Sequence, residues 1–229
     1  MGFEYDGEAY NYVYPHVKNK LVFDVGANIG EVTKKFINAG AKVVAIEPQS
    51  KITKGDNYKG VYAIRNICLS SKIGNVDFYT NNKATTTATC FEDWKRTQHP
   101  STKWTKMTMH STTLDALIKE FGQPTYIKID VEGYDHKVLG GLSHKIDFVS
   151  FEFTEGYWDS FYESVKVVEK LGFKKMTTFE KKKIKKKVNG RKKTIRSYKI
   201  VNEFSDVHSV LEFFKGLSSK AHGDVLIEA

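Results

Sequence analysis

An apolar run followed by two glycines constrains the fold of this chain more than any other stretch. Residues 21–25 are apolar apart from Asp24, and Gly26 and Gly30 follow. A helical pattern then leads to a second apolar run that ends in Glu47. This order predicts a βαβ unit that binds a nucleoside-containing cofactor. The glycines allow a tight turn, the amides of the next helix face the ligand, and Glu47 accepts hydrogen bonds from ribose hydroxyls.

The spacing of the glycines argues against a dinucleotide. A nicotinamide or flavin fingerprint has the form G-x-G-x-x-G, whereas this turn reads Gly26-Ala27-Asn28-Ile29-Gly30, with Asn28 at the second glycine position. Without that glycine, a pyrophosphate approaches the backbone less closely. A D-x-G-x-x-x-G turn followed by a strand that ends in Glu47-Pro48 resembles the S-adenosylmethionine site of class I methyltransferases.

Composition predicts a folded protein of one domain. Of the 229 residues, 40% are hydrophobic and 13% aromatic, which is typical of globular chains. No apolar run is long enough to span a membrane, and the residues after Met1 lack the pattern of a signal peptide. Cys68 and Cys90 have no metal-binding spacing, which favours free thiols in a reducing compartment. We therefore expect a cytoplasmic protein.

The net charge of +9 is concentrated in one segment. Residues 181–193 contain nine basic residues and no acidic ones. Such a run favours anionic partners such as nucleic acid, acidic glycans or membrane surfaces. A solvated loop is the plainer interpretation, and the sequence leaves both open.

The order of the predicted elements indicates an α/β fold with a doubly wound, mostly parallel sheet, and the resemblance to class I methyltransferases implies their Rossmann-like fold. Near-continuous apolar runs predict buried parallel strands at 21–25, 43–47, 61–66, 126–130 and 148–153. Alternation at 76–79 predicts a half-buried strand outside this parallel core, and 94–104 is an unassigned insertion. Residues 173–180 and 194–201 predict an antiparallel hairpin whose long basic tip is the lysine run, before an amphipathic helix at 207–217.

We expect a single methyltransferase domain over residues 1–229. Within it, residues 1–19 form a helix or lid, residues 20–153 the cofactor-binding and catalytic core, and residues 173–201 the basic hairpin. The tyrosines of the first segment are expected to cover the sheet or, less simply, to line a substrate mouth.

Polar residues stand where the predicted strands end. They are Asp24, Glu47, Asn66, Asp130 and Glu152. Ligands of such sheets bind beyond the carboxyl ends of the strands. Since buried carboxylates are costly without partners, packing alone does not account for the set, although single members could cap helices. The sequence therefore predicts a site at this edge.

Lys128, Asp130 and Glu132 alternate along the chain, which predicts three charged side chains on one face of an extended segment. Methyl transfer to a hydroxyl needs alignment and a proton acceptor. Asp130, Glu132 or Glu152 could be that base, and Lys128 could hold one of them ionised. The same three carboxylates could instead hold Mg²⁺ or Mn²⁺ that orients a diol, and the residue pattern leaves the two possibilities open.

The motifs together resemble FkbM-type S-adenosylmethionine-dependent methyltransferases over about residues 21–153. The matching stretches are 24–30, Glu47-Pro48, Asn66-x-x-Leu69-Ser70 with Gly74, Thr113-Leu114-Asp115, 127–134, Val138-Leu139-x-Gly141 and Phe151-Glu152. The resemblance implies O-methylation of a hydroxyl on a sugar or glycan, or on a polyketide-like small molecule. It places Asp130 and Glu132 at the methyl-transfer site, and the cofactor on Asp24, Gly26, Ala27, Asn28, Gly30, Glu47, Pro48, Asn66, Cys68, Leu69 and Asp130.

Two other functions fit the sequence less well. An RNA methyltransferase would use the basic run, but Asp130-Val131-Glu132-Gly133 replaces the Asn/Asp-Pro-Pro-aromatic motif of base N-methylating enzymes, so we expect no nucleic-acid partner. A degenerate binding module would not need Asp24, Glu47 and Asp130 intact. Aromatic residues that could stack on sugar rings favour a saccharide acceptor, and they are Tyr134, Tyr157 and Trp158.

Overall fold

The computed structural model describes residues 9–97, 100–154, 156–173, 175–188, 191–215 and 222–229. The helices are α1 Ala9–Val13, α2 Glu31–Asn38, α3 Leu114–Phe121, α4 Asp135–Leu139, α5 Trp158–Lys170 and α6 Val207–Lys215. The strands are β1 Leu21–Val25, β2 Lys42–Ile46, β3 Ala63–Arg65, β4 Cys68–Leu69, β5 Gly74–Asn81, β6 Trp104–Thr112, β7 Tyr126–Ile129, β8 Phe148–Thr154, β9 Lys175–Val188, β10 Arg191–Phe204 and β11 His222–Glu228.

Eight strands form the central sheet, in the order β10-β9-β11-β8-β7-β1-β2-β3. Strands β3, β2, β1, β7 and β8 pair in parallel. β11 is antiparallel to both β8 and β9, and β10 is antiparallel to β9. The predicted mostly parallel sheet with an antiparallel hairpin is confirmed.

A second sheet of three strands has the order β4-β6-β5. Its strand β5 contains the alternating residues 76–79, as predicted for a strand outside the parallel core. Leu69 of β4 belongs to the same hydrophobic cluster as Val25 and Ile46 at the ends of β1 and β2, so the second sheet packs against the carboxyl edge of the central sheet. It thereby forms one wall of the cavity described below.

Helices cover both faces of the central sheet because alternate strand residues point to opposite sides. Phe23 packs with Leu114, Leu117 and other residues of α3, α4 and α5. Val22 packs on the other face, with residues of α1 and α2. The start of α3 is fixed by Thr113, whose hydroxyl accepts a hydrogen bond of 3.1 Å from the Ala116 amide.

The first described helix covers the sheet. Tyr10 and Tyr14 of this region pack against Phe36, with ring centroids 6.1 and 5.2 Å apart. No described residue before β1 lines the cavity. Among the helices of the described ranges, none combines the length and the apolar character needed to cross a bilayer.

Two elements differ from the prediction. The sequence predicts the lysine run as the solvated tip of a hairpin, because the run joins two β-rich segments. Instead β9 extends to Val188 and pairs with β10 residue by residue, so the run belongs to the strands. Strand β11 was not predicted, because the short apolar run Val225-Leu226-Ile227 has no period that separates strand from helix.

Candidate functional site

A cavity of about 120 Å³ lies beyond the carboxyl ends of β1, β2 and β7. The strand ends of the central sheet contribute the carboxylates Glu47 and Asp130 together with apolar residues such as Val25 and Ile46. The facing residues include Cys68, Leu69 and Phe78 and also several threonines. A ligand with both polar and apolar parts therefore matches this lining.

The two glycines of the β1 turn are required by contacts within the protein. Gly26 has φ of 77°, and a Cβ there would lie 1.8 Å from the carbonyl oxygen of Asp130. Gly30 has φ of 81°, and a Cβ there would lie 2.8 Å from the ring of Tyr58. The Tyr58 hydroxyl in turn donates a hydrogen bond to the carbonyl of Asn28. Gly26 lines the cavity, whereas Gly30 and Ala27 lie behind its wall.

Glu47 forms a buried acceptor in the cavity. Its Oε2 accepts the Asn28 amide and its Oε1 accepts the Gln49 amide, each at 2.9 Å. Burial raises the pKa of Glu47, and these two hydrogen bonds oppose the rise. Asn66 does not line the cavity; its side-chain amide donates to the Glu47 carbonyl at 2.8 Å and to Thr53 at 3.2 Å. Asn66 thus holds the backbone that presents Glu47, and Pro48 lines the cavity beside it.

A buried ion network lies beneath the cavity and centres on Lys128. The Lys128 Nζ lies 3.6 Å from Asp24 Oδ1 and 3.3 Å from Asp130 Oδ2. Thr33 donates to Asp24 Oδ2 at 2.6 Å. Burial alone would lower the pKa of Lys128, but the Asp130 and Asp24 carboxylates raise it above its ordinary value. Lys128 is therefore held as a cation. Asp24 does not line the cavity, and it acts on the site by its ion pair with Lys128.

Asp130 and Glu132 both line the cavity. The side chain of Asp130 is 41% exposed, so it is accessible from the cavity. The prediction that Glu132 shares an extended face with Lys128 and Asp130 is wrong, because β7 ends at Ile129 and Glu132 has φ of 56°. Thr89 fixes this turn, since its hydroxyl donates to the Glu132 carbonyl at 2.9 Å.

Glu152 lies one strand away from the cavity lining. Its Oε1 is 3.2 Å from Nε2 of His222, and it lies opposite Asp224 in the register of β8 and β11. Among the described residues, no three His, Cys, Asp or Glu side chains are grouped so that they could hold a metal ion. Asp130, Glu132 and Glu152 are not grouped in this way, and the alternative that they hold Mg²⁺ or Mn²⁺ stays a prediction. His222 was not identified from the sequence, because β11 was not.

Asp135 is a second residue that the sequence did not single out. It begins α4 and is 2% exposed, with Oδ1 3.5 Å from the Glu152 amide. Burial and the nearby Asp130 carboxylate raise the pKa of Asp135 to about 7. From the sequence alone, an acidic residue in the first turn of a helix is expected to stabilise that helix, so it gives no functional signal.

Of the three aromatic residues suggested for sugar stacking, Tyr134 lines the cavity. Its hydroxyl lies 3.2 Å from Ser70 Oγ. Tyr157 packs on Trp94 with ring centroids 5.0 Å apart and donates to the Asp93 carbonyl at 2.7 Å. Trp158 stacks on Phe153 within the core. The unassigned insertion begins with a 3-10 helix, Glu92–Thr97, and its Trp94 packs over Gly133.

Comparison with known proteins identifies the family. The sequence profile of the methyltransferase FkbM domain matches residues 24–209. Among solved structures, precorrin 8W decarboxylase from Methanobacterium thermoautotrophicum aligns with a TM-score of 0.52 and 10% identity, over 96% of this chain and 87% of that one. A SAM-dependent methyltransferase from Archaeoglobus fulgidus aligns with a TM-score of 0.45 and 11% identity, over 96% and 90%. No curated protein sequence matches the chain significantly.

The residues of the cavity suit S-adenosylmethionine. The Glu47 carboxylate suits the hydroxyls of a ribose, and apolar lining residues such as Leu69 and Phe78 suit the faces of an adenine. The profile match covers most of the chain and includes the glycine turn, Glu47 and the segment from Lys128 to Glu132. The chain belongs to the FkbM methyltransferase family and has the class I fold of S-adenosylmethionine-dependent methyltransferases.

Proposed function

We propose that the protein is an O-methyltransferase that transfers a methyl group from S-adenosylmethionine to a hydroxyl of a sugar or glycan. The observation that carries the proposal is Asp130, an accessible carboxylate in the cofactor cavity whose Oδ2 lies 3.3 Å from the buried Lys128 ammonium. An oxygen nucleophile must lose its proton as the new bond forms, and a carboxylate at the reacting centre can accept that proton.

The cofactor would be held by the residues that line the cavity. Glu47 would accept hydrogen bonds from the ribose hydroxyls, Gly26 would let the backbone approach closely, and Leu69 and Phe78 would contact the adenine. When bound, S-adenosylmethionine supplies a methyl group on a positively charged sulfur. Asp24 lies behind the cavity wall and would act by fixing Lys128 and the start of α2.

Different side chains would align the acceptor and remove the proton from its hydroxyl. Asp130 accepts the proton of the acceptor hydroxyl, and Lys128 stabilises the carboxylate before the transfer. Glu132 lines the same cavity and can orient a neighbouring hydroxyl. Glu152 is held by His222 and would act on a part of the acceptor farther from the cofactor.

Tyr134 supports a saccharide as the acceptor. Its ring lines the cavity beside Glu132, and its hydroxyl is anchored near Ser70. A fixed aromatic ring beside carboxylates suits a sugar, which presents an apolar ring face and several hydroxyls. A polyketide-like small molecule offers a hydroxyl on a largely apolar body, and it is the alternative acceptor.

A second candidate acceptor is RNA, which the register of β9 and β10 favours. β9 is antiparallel to β11, as is β8, so β9 points toward the same edge as the catalytic strands. Beyond Glu180 it pairs with β10 alone among the described strands, and this extension contains the lysine run. A basic ribbon beside the cofactor edge is suited to a phosphate backbone.

The proposal is tested in two steps on the full chain. Calorimetry with S-adenosylmethionine is expected to show binding to one site, and absence of binding would end the proposal. A methyl-donor assay across monosaccharides, oligosaccharides, a polyketide-like alcohol and RNA, with and without EDTA, then identifies the acceptor. Methylation of a saccharide hydroxyl supports the proposal, and exclusive methylation of RNA or of a nitrogen atom contradicts it. Loss of activity in EDTA alone would assign a metal to the site.

A further inference from the structure

The cavity is smaller than the cofactor proposed for it. Its volume is about 120 Å³, whereas small-molecule sites measure roughly 300–1,000 Å³. S-adenosylmethionine consists of a nucleoside and a methionine tail, so part of the cavity wall must move before the cofactor enters. The strands around the cavity are held by their pairing within the two sheets. A loop is therefore the part of the wall that can yield.

That loop consists of residues 82–88 and is here called the threonine loop. Its residues Thr85, Thr86 and Ala88 line the cavity. Thr85 and Thr86 are also exposed to solvent. The threonine loop thus separates the cavity from solvent on this side.

Both ends of the threonine loop are fixed. At its start, Asn81 Oδ1 accepts the amides of Lys83 and Ala84 at 2.9 and 3.0 Å. Directly after its end, Thr89 exchanges backbone hydrogen bonds of 2.8 and 3.0 Å with Tyr79. Movement of the loop would therefore occur at its middle, between these two anchors.

One side chain ties the middle of the loop to the cofactor carboxylate. Gln49 Nε2 donates to Glu47 Oε1 at 3.2 Å and to the Thr85 carbonyl at 3.1 Å. Both partners are acceptors, so one NH₂ group bridges Glu47 and the loop. Beside this bridge, the Thr85 hydroxyl donates to Asn28 Oδ1 at 3.2 Å. The hydrogen bonds of Gln49 and Asn28 to Thr85 form a latch between the loop and the cofactor strands.

Glu47 has too few acceptor positions for this latch and a ribose together. A carboxylate offers about four positions. The backbone amides of Asn28 and Gln49 use one each, and the Gln49 side chain uses a third. Two ribose hydroxyls need two positions, and about one remains. Since the two backbone amides belong to the chain segments that frame the site, the Gln49 side chain is the donor that yields.

We propose that the threonine loop is a lid over the cofactor cavity and that Gln49 is the positioning residue that latches it. The ribose hydroxyls of S-adenosylmethionine displace the Gln49 amide from Glu47, and the lid then moves outward to admit the rest of the cofactor. This inference rests on the proposed function, because it takes S-adenosylmethionine as the ligand of the cavity. Gln49 is thereby a competitor of the cofactor and not one of its ligands.

The latch makes the affinity for S-adenosylmethionine depend on how often the lid is open. When a ligand binds one of two conformations, its apparent dissociation constant is the intrinsic one divided by the populated fraction of that conformation. A variant that breaks the latch increases the open fraction and should bind the cofactor more tightly. Loss of a direct cofactor contact would have the opposite effect.

Calorimetry and hydrogen exchange on the full chain test this inference. Gln49→Leu is expected to bind S-adenosylmethionine at least about threefold more tightly than wild type, the effect of one net hydrogen bond. Thr85→Val keeps the shape of its side chain and removes the bond to Asn28 alone, so its gain should be smaller. Without cofactor, the amides of residues 82–88 should exchange faster in Gln49→Leu than in wild type.

Gln123→Leu is the matched control. Gln123 Nε2 also donates to a backbone carbonyl, that of Lys145 at 3.0 Å, and Gln123 does not line the cavity. This variant should change neither the affinity nor the exchange of residues 82–88. Weaker or unchanged cofactor binding by Gln49→Leu overturns the inference, and so does unchanged exchange of the loop. If wild-type protein fails to bind S-adenosylmethionine, the proposed function fails, and the exchange comparison alone decides whether Gln49 holds the loop.

Discussion

Lys128 links the cofactor strand β1 to the end of β7, where the proposed base Asp130 lies. Its ammonium lies within 3.6 Å of Asp24 on β1 and within 3.3 Å of Asp130 after β7. A buried charge is tolerated only with such partners, and removal of one partner leaves an uncompensated ion. Lys128 is thus required for the geometry of Asp130 even though it does not line the cavity.

Asp130→Asn is expected to lower turnover by at least about 100-fold, because an amide cannot accept the proton of the acceptor hydroxyl. Binding of S-adenosylmethionine should change little, since Asp24 still partners Lys128. Steady-state kinetics and calorimetry measure the two effects. Asp56→Asn, at a side chain 89% exposed, is the matched control and should leave both unchanged. Undiminished turnover in the Asp130 variant would move the base elsewhere, first to Glu132, which lines the same cavity.

Asp135 makes the stability of the fold depend on pH. Its pKa is raised from 3.8 to about 7, so the folded state binds its proton more tightly than the unfolded state does. Below about pH 4 the carboxyl is protonated in both states and costs nothing; the cost then grows up to pH 7 and is constant above. Asp130 and Lys128 are the charged neighbours that contribute.

Asp135→Asn removes this cost. The free energy of unfolding of the variant relative to wild type should therefore rise by about 3 kcal/mol between pH 5 and pH 8, at 1.36 kcal/mol per pH unit up to the folded pKa. Urea denaturation at the two pH values measures it, and wild type at each pH is the control. An equal difference at both pH values would show that Asp135 is ionised throughout.

At the scale of elements, the site depends on the contact between the β1 turn and the end of β7. Gly26 touches the Asp130 carbonyl, and the Asp130 amide donates to the Val25 carbonyl at 3.1 Å. The cofactor turn and the proposed base are consequently parts of one rigid contact between neighbouring strands. Displacement of either strand end alters both cofactor binding and catalysis.

Gly26→Ala is expected to destabilise the protein by more than about 3 kcal/mol and to abolish cofactor binding, because the new Cβ meets backbone and φ is positive. Thermal denaturation and calorimetry report the two losses. Gly55→Ala is the matched control, since φ there is −80° and a Cβ has no atom within 4 Å. That control should change stability by less than about 1 kcal/mol. A fully stable Gly26 variant that binds cofactor would contradict the contact.

Strands that consist of a local run of apolar residues could be predicted from the sequence. β1, β2 and β7 are mostly apolar and buried on both faces, and Glu47 and Asp130, which follow two of them, line the cavity. β11 and the extended β9 depend on pairing between distant segments, which no local pattern encodes. His222 and Asp135 were missed for the same reason, because their contacts with β8 form only after long-range pairing.

At the scale of the whole molecule, the ribbon of β9 and β10 extends beyond the body of the sheet. Glu180 is the last residue of β9 that pairs with β11, opposite Gly223. β9 continues for eight residues beyond it, which is about 27 Å at 3.4 Å per residue. The register places Lys187 opposite Lys192 and Lys186 opposite Lys193. Like charges directly opposite one another destabilise a strand pair, so a bound polyanion would stabilise this ribbon.

Replacement of Lys181, Lys183, Lys185 and Lys187 by Gln tests this arrangement, since all four residues belong to the extension of β9 beyond Glu180. Affinity for polyuridylate RNA should fall, and the slope of log K against log salt should decrease by about 3, at roughly 0.7 per charge on a single strand. Binding is measured at several salt concentrations by fluorescence anisotropy. Replacement of Lys51, Lys54, Lys59 and Lys72 by Gln is the control of equal charge. If both variants bind equally, the charge of the whole protein and not the ribbon governs the interaction.

The position of β11 determines when the sheet can be completed. β11 is inserted between β8 and β9, although it follows both of them in the chain. During synthesis, β8 and the β9–β10 pair leave the ribosome while the strand that joins them is still to be made. Their facing edges present unpaired amides and carbonyls in that interval, and such edges associate readily with other chains. Closure of the sheet, and with it the Glu152–His222 contact, is therefore a late event in biosynthesis that favours chaperone protection.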